Sequence, residues 1–190
     1  MKTARALLVG KDQAVLNRLL SALRSDGHAV EGTVMLATVH QDFDARNFTL
    51  IGLGAGFNDQ ERTQLLQGFQ LQDPDVRLED VFGPVGLAQL QFLLSPAAQQ
   101  SVLERLTVLL AEVVPEVQLT VRTPTKATIT LYHFQGQLRA EELWQGELPA
   151  GLTRLPLRRE QLLPGMLYHV VAQLPEGEVH TYRFTMPGVE

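Results

Sequence analysis

The chain has 190 residues, which suits one large domain or two small ones. With a net charge of −5 and only three lysines, it has no long basic run, and the nearest thing to a basic patch is Arg154, Arg158 and Arg159. Binding to nucleic acid by neutralising phosphates is therefore not expected. The absence of cysteine excludes disulfides, thiolate metal sites and cysteine nucleophiles.

The first residues hold about five apolar side chains before Lys11 and Asp12, too few for the core of a signal peptide. No later run approaches the ~20 apolar residues of a membrane-spanning helix. These features predict a cytoplasmic protein that does not associate with membranes.

In the first half, short apolar runs alternate with segments of helical periodicity. Asp12 is predicted to cap the first helix, Asn58 or Asp59 the next clear one, and Gly83-Pro84 opens a third through residue 94. A short, poorly formed helix is predicted within residues 35–44. Strands are predicted at residues 6–9, 28–34, 48–53 and 76–82. This alternation implies a parallel sheet with right-handed crossovers and the order 2-1-3-4. We therefore predict a small doubly wound, flavodoxin-like α/β domain at residues 1–94, with four to five strands.

The third predicted strand runs into a glycine-rich turn and then a helix start. Backbone N–H groups of such a turn, at the carboxyl end of a central strand, can hold a phosphate. The spacing is not G-x-G-x-x-G, because Phe57 stands where the third glycine would be. We favour a packing role for the glycines. The leading ligand hypothesis is a weak anion or nucleotide site at Gly52, Gly54, Gly56 and Asn58.

Three stretches carry a family pattern: the apolar run at residues 6–9, the helix end at residues 23–28 and the buried run at residues 48–53. With them, about the first 95 residues resemble a response-regulator receiver domain, which has a flavodoxin-like sheet. The resemblance implies a signalling role for this half.

The residues that receivers use for phosphoryl transfer are missing from the matching positions. Receivers hold magnesium with acidic residues after the first strand, where this chain keeps only Asp12. Gly54 stands in place of the phosphoacceptor aspartate, and Gly83 follows the fourth strand where receivers have a hydroxyl. Receivers also need a lysine after a fifth strand, and none occurs between Lys11 and Lys126. Because the reaction needs clustered oxygen ligands and a nucleophile, we expect a pseudo-receiver.

Residues 95–115 are predicted to form a connecting helix, with Ser95 as its cap, Pro96 at its first position and Pro115 at its end. Apolar residues recur in it at helical spacing: Val102, Leu103, Leu106, Leu109, Leu110 and Val113. We favour packing of this helix on the first domain. The alternative is a homodimer through the 96–113 helix.

From residue 116 to residue 190 the apolar residues alternate as in strands. Strands are predicted at residues 117–123, 127–133, 138–144, 152–157, 166–174 and 179–186, and a short helix or 3₁₀ turn near residues 159–163. Short strands with regular turns predict an all-β domain, an immunoglobulin-like β-sandwich.

Residues 127–137, 146–151 and 162–168 look like the three signatures of a known module. Residues 117–187 thereby resemble the C-terminal sorting domain of type IX secreted Bacteroidota proteins and the immunoglobulin modules of flagellar hook-cap-like proteins. The resemblance implies a structural or adhesive module. Gly136 and Gly151 are expected in turns with positive φ, and Tyr132 and Tyr168 offer apolar rings with polar tips. Sorting domains belong to chains with a signal peptide and end near a basic residue, whereas this sequence ends in Glu190.

His169 and His180 fall on the last two predicted strands. A turn centred on Glu176-Gly177 would place Gln173 opposite His180, and the two histidines ~13 Å apart. They would then not share a metal ion. No G-x-S-x-G turn occurs either. We predict no catalytic residue, metal site or cofactor.

Together these features predict a non-enzymatic bacterial signalling adaptor or scaffold, with a phosphorylation-incompetent pseudo-receiver and a β-sandwich that binds a protein partner not identified by the sequence. One alternative is a nucleotide- or anion-binding protein that uses the glycine-rich turn. Another is a secretion-linked protein with a sorting-type C-terminal module.

Overall fold

The computed structural model describes residues 5–110 and 114–188. The chain divides into two compact units, Met1–Ser95 and Pro96–Glu190. The described helices include none that is both long enough and apolar enough to cross a membrane.

The first unit alternates strands and helices, as predicted. Its elements are β1 (Arg5–Val9), α1 (Gln13–Ser25), β2 (Ala29–Thr33), α2 (Val39–Asp42), a 3₁₀ turn (Ala45–Asn47), β3 (Leu50–Gly54), α3 (Asp59–Gln72), β4 (Arg77–Val81) and α4 (Gly86–Leu94). The described strands form one parallel sheet of four strands in the order β2-β1-β3-β4. The predicted strand order is confirmed.

Apolar side chains cover both faces of this sheet, because successive residues of a strand point to opposite sides. On one face, Leu8 packs with Leu20 of α1 and Leu90 of α4. On the other face, Ile51 packs with Phe69 of α3. Helix α4 contacts α1, so the chain returns to the α1 face after β4.

Two helices of this unit differ in extent from the prediction. Helix α2 covers only Val39–Asp42 of the predicted stretch. Helix α4 begins at Gly86, because the Val85 N–H donates to the Phe82 carbonyl in a turn that contains Pro84.

The second unit is built from strands and short 3₁₀ turns. Its elements are a 3₁₀ turn (Pro96–Gln100), β5 (Leu103–Leu109), β6 (Glu116–Val121), β7 (Thr125–Gln135), β8 (Gln137–Leu148), β9 (Gly151–Pro156), a 3₁₀ turn (Arg159–Gln161), β10 (Leu167–Gln173), a 3₁₀ turn (Pro175–Gly177) and β11 (Val179–Thr185). The described strands form two antiparallel sheets, ordered β11-β10-β7-β8 and β5-β6-β9. One apolar cluster takes residues from both sheets, among them Leu119 of β6 and Val170 of β10.

The predicted connecting helix at residues 95–115 is wrong, since strand β5 lies within it. The register of β5 against β6 shifts between Leu103 and Arg105, so Glu104 is an extra residue, as in a β-bulge. Leu103 and Leu106 therefore pack on the same core although they are three residues apart, a spacing that imitates a helix. Residues 111–113 of the predicted helix lie outside the described residues. The helix through which we suggested a homodimer at residues 96–113 is therefore replaced, in the described part of that range, by a 3₁₀ turn and strand β5.

The register of the last two strands also differs from the prediction, by one residue. His169 lies opposite Arg183, and His180 lies opposite Ala172, because the loop is centred on Glu176, which has a φ of 60°. A shift of one residue exchanges faces, so the two histidines point to opposite sides of the sheet. They are therefore unable to share a metal ion, and the described residues contain no group of three or more potential metal ligands.

The turn glycines of this unit behave as predicted. Gly136 and Gly151 have φ values of 69° and 95°, which residues other than glycine rarely adopt.

The ring of Tyr168 is fully buried, and its hydroxyl accepts a hydrogen bond of 2.7 Å from the Leu163 N–H.

Candidate functional site

A cavity of about 240 Å³ lies at the carboxyl ends of β1, β3 and β4. The strand order reverses here, since β1 has β2 on one side and β3 on the other. Ligands of open α/β sheets bind at such switch points. The strand ends bring three glycines to the cavity, Gly10, Gly54 and Gly83.

The walls of the cavity are mostly apolar. Leu8 and Val81 contribute from the sheet, and Val15, Leu16 and Leu19 contribute from one face of α1. The strand residues are buried, with 3% of Leu8 and 5% of Val81 exposed. Walls of this kind favour an apolar body in a ligand.

The start of α1 is already capped by the protein itself. One carboxylate oxygen of Asp12, Oδ1, accepts hydrogen bonds from the N–H groups of Ala14 (2.8 Å) and Val15 (3.0 Å). Those two N–H groups are among the donors that an anion would need at a helix start. Asp12 both occupies them and adds a negative charge beside the cavity.

Lys11 is the one cationic side chain among the described residues that line the cavity, and it is paired. Its Nζ lies 2.6 Å from Glu61 Oε2 and 5.6 Å from the ring centroid of Phe57. The hydrogen bond from Lys11, followed by that from the Asn58 N–H, lowers the pKa of Glu61. Glu61 therefore stays ionised and balances the charge of Lys11.

Asn58, one of the residues proposed to bind an anion, caps α3 and does not line the cavity. Its side-chain oxygen accepts a hydrogen bond of 2.9 Å from the Glu61 N–H. In return, Glu61 Oε2 accepts one of 3.0 Å from the Asn58 N–H. This capping box engages two N–H groups at the start of α3, as Asp12 does at the start of α1.

The three glycines proposed with Asn58 all line the cavity, but their surroundings differ. A Cβ atom at Gly52 would lie 2.8 Å from Val81 Cγ2, so packing requires glycine there. At Gly54 the nearest atom would be the Val9 carbonyl oxygen at 3.5 Å, an ordinary contact. At Gly56 no atom would lie within 4 Å. Neither Gly54 nor Gly56 has a positive φ.

The cavity offers little chemistry for phosphoryl transfer. Gly54 ends β3 and has no side chain to accept a phosphoryl group. Among the described residues that line the cavity, Asp12 supplies the only carboxylate, and no serine, threonine or histidine is present. A magnesium ion prefers several oxygen ligands, and this set provides one side chain.

From the sequence, a ligand site was predicted at the turn after β3 only, and the contributions of β1 and β4 were missed. Gly10 directly follows β1, and Gly83 lies two residues after β4. The available signal was a glycine at or just beyond the end of each of three predicted strands. Because the strands are far apart in sequence, only the sheet order shows that these glycines meet.

A buried carboxylate in the second unit forms a separate polar cluster. Glu178 is 5% exposed and accepts hydrogen bonds from Ser101 Oγ (2.6 Å) and from the N–H groups of Val102 (3.1 Å) and Leu103 (2.9 Å). Burial raises the pKa of Glu178, but these bonds and that from His180 outweigh it, so the pKa lies below its ordinary value.

This cluster is not arranged like a catalytic triad. Ser101 Oγ and Glu178 Oε1 both lie near the same imidazole nitrogen of His180, Nε2, at 3.3 and 2.8 Å. A triad uses the two nitrogens separately, one toward the nucleophile and one toward the carboxylate. Glu178 instead ties residues 101–103 to the start of β11.

Neither a scan against protein-family models nor a search of curated proteins finds a match for this chain. Similar solved structures include a GH3 β-glucosidase from Bifidobacterium adolescentis, with 9% identity, a TM-score of 0.38, and coverage of 97% of this chain and 49% of that one. A β-glucosidase from Erythrobacter marinus has 11% identity, a TM-score of 0.38, and coverage of 97% and 46%. An NAD kinase from Archaeoglobus fulgidus in complex with ATP has 12% identity, a TM-score of 0.35, and coverage of 97% and 92%.

The chain spans about half the length of the two β-glucosidases. TM-scores at this level do not establish a shared fold, and we take no function from these proteins.

Proposed function

We propose that the protein is a non-enzymatic signalling adaptor. Its first unit is a doubly wound, receiver-like domain that does not accept a phosphoryl group, and its second unit is an immunoglobulin-like β-sandwich that binds a protein partner.

The observation that carries the first part is the residue at the end of β3. A receiver needs an aspartate there, and the chain has Gly54. It lies beside a cavity in whose described lining the one carboxylate, on Asp12, caps α1. The parallel sheet in the order β2-β1-β3-β4, with helices on both faces, supports a receiver-like domain.

The sandwich is supported by the core of the second unit. Two antiparallel sheets contribute inward residues to one apolar cluster, which is the arrangement of a β-sandwich. Modules of this architecture owe their function to their surfaces and not to the fold itself.

The test of the first part is incubation of the full chain with acetyl phosphate and magnesium, followed by intact mass measurement. We expect no covalent phosphoryl adduct. A phosphoryl adduct that forms on wild type but not on Asp12→Asn would contradict the proposal, because it would identify Asp12 as a phosphoacceptor.

A groove between β8 and β9 is the surface that we assign to the partner. Both lie at the edges of the sheets that the described residues form, where the outer backbone groups of a strand can pair with an added strand. Glu141 and Glu142 line one wall and Arg154 and Arg158 the other, with Trp144, 38% exposed, in the same groove. Buried tryptophan and arginine side chains contribute most of the binding energy in many protein interfaces. Because acidic and basic side chains line the groove side by side, a partner segment that is extended and carries both acidic and basic residues fits it best.

Phe134 provides a matched control for Trp144. Trp144 lies opposite Ile129 of β7, and Phe134 is five residues from Ile129, so the two aromatic side chains belong to opposite faces of the sheet. Proteins from extracts of the native cells that bind wild type and Phe134→Ala but not Trp144→Ala would be partners of the groove. Equal recovery with all three baits would contradict this assignment.

A further inference from the structure

At most glycine positions of this chain, the structure shows why a residue with a side chain would be strained or would clash. Of the fifteen, six have a positive φ, and four stand where a Cβ would come closer than 3.0 Å to another atom. Five remain without either reason: Gly10, Gly54, Gly56, Gly83 and Gly188. Four of these five line the cavity at the carboxyl edge of the sheet.

At these four positions the fold itself would accept a side chain. A Cβ at Gly10, Gly56 or Gly83 would have no neighbour within 4 Å, and one at Gly54 would make an ordinary contact. Alanine at such places normally stabilises a protein, because it restricts the unfolded chain. What glycine provides here is space and close access to the backbone of three strand ends.

We propose that these glycines keep the cavity open for a small, uncharged and largely apolar ligand. The proposal rests on the proposed function, because it gives the pseudo-receiver a bound molecule in place of a phosphoryl group.

The charges around the cavity exclude a phosphate as the preferred ligand. Lys11 is paired with Glu61, and Asp12 accepts hydrogen bonds from two of the N–H groups at the start of α1. An anion bound here would either displace the carboxylates of Glu61 and Asp12 from their hydrogen-bond donors, or lie next to them with no cation to balance its charge. An uncharged ligand avoids both costs.

The size and walls of the cavity define the rest of the ligand. Its volume of about 240 Å³ lies below the ~300–1,000 Å³ of sites for drug-sized molecules, so the ligand is about the size of one or two fused rings. Leu8, Val15 and Leu19 would contact its apolar body. The Gly10 N–H already donates to the Thr33 carbonyl at 3.1 Å, so this donor is not available to a polar edge of the ligand.

The experiment is a titration of the isotope-labelled full chain, followed by the amide resonances of the four cavity glycines. The probes are phenol, indole, benzimidazole, cyclohexanol and coumarin, each alone, and inorganic phosphate. We expect saturable shifts with at least one neutral probe and none with phosphate. No shift with any neutral probe, or tighter binding of phosphate at the same amides, overturns the proposal.

Side chains placed in the cavity provide the second arm. Gly56→Leu and Gly83→Leu should each weaken binding of the neutral probe by roughly tenfold or more, whereas Gly188→Leu, outside the cavity, should leave it unchanged. Two cavity variants are used so that one remains if the other fails to fold. Unchanged affinity in the folded cavity variants overturns the proposal. The acetyl phosphate experiment tests the pseudo-receiver separately, so failure of one proposal is distinguishable from failure of the other.

Discussion

One methyl group added at Gly52 should destabilise the first unit, because the space beside this residue is filled. The new Cβ would lie 2.8 Å from Val81 Cγ2 and 3.0 Å from Leu8 Cδ2, both in buried side chains. Valine is branched at Cβ and stiff at χ1, so Val81 is unable to turn away easily. The sheet or its packing against α4 must therefore shift.

The expected size of the effect follows from measured overpacking. Extra methyl groups in a tight core cost about 1–3 kcal/mol. For a domain the size of Met1–Ser95, each kcal/mol lowers the melting temperature by roughly 4–8 °C, so Gly52→Ala should melt roughly 4–24 °C below wild type. Gly56→Ala and Gly83→Ala, with open space around the new methyl group, should instead gain about 0.4–1 kcal/mol.

The assay is thermal and urea unfolding of the full chain followed by helical circular dichroism, because α1, α3 and α4 lie in the first unit. The decisive result is that the stability change has opposite signs, a loss for Gly52→Ala and a gain for Gly56→Ala and Gly83→Ala. If Gly52→Ala is as stable as wild type, or if Gly56→Ala loses more than about 1 kcal/mol, the distinction between a packing glycine and cavity glycines is wrong.

Substitutions at three further residues, Gly68, His40 and Glu178, test other contacts, and Glu104 serves as a control. Gly68→Ala should cost about 1–3 kcal/mol, because its Cβ would lie 2.3 Å from His40 Nε2, and most of that cost should disappear in a His40→Ala background in a double-mutant cycle. Burial lowers the pKa of His40, so its contribution to stability is complete above the ordinary value of 6.5 and is lost as pH falls through the lowered pKa. His40→Phe should flatten the dependence of the urea midpoint on pH across this range. Glu178→Gln should lose about 1.5–3 kcal/mol, since it removes a charged acceptor from buried donors, whereas Glu104→Gln in an exposed ion pair should cost well under ~1 kcal/mol. Because the pKa of Glu178 is lowered, wild type should be more stable than Glu178→Gln above pH 4.5, and this difference in stability should vanish as the pH falls through the lowered pKa. A difference in stability that does not change with pH would refute the role of the Glu178 charge.

The alternation of strands and helices in the first unit was predictable because each signal is local. Buried parallel strands appear as continuous apolar runs, and Asp12 and Asn58 mark helix starts that the structure confirms as caps. The order of the sheet was predicted from the pattern of a small doubly wound domain with right-handed crossovers.

The segment after residue 95 was not predictable by the same means. In β5 the extra residue Glu104 puts Leu103 and Leu106 on one face, and a spacing of three favours a helix in any pattern analysis. The pairing of β10 with β11 likewise depends on the conformation of Glu176, which nothing in the sequence marks.

The site was only partly predictable. Gly52, Gly54 and Gly56 could be found because they are contiguous, but their different roles depend on atoms of β1 and β4 that pack around them. Gly10 and Gly83 join them only when the sheet forms.

The most direct measurement is the response of the Gly10, Gly54 and Gly83 amide resonances to magnesium and fluoroberyllate, which mimics a phosphoryl group bound to a carboxylate. In the receiver-like domain that we propose, these amides line the cavity at which both groups would bind. We predict that the resonances do not move, because Asp12 is the one carboxylate of the described lining and already caps α1. Saturable shifts that require both magnesium and fluoroberyllate would contradict our proposal of a phosphorylation-incompetent pseudo-receiver.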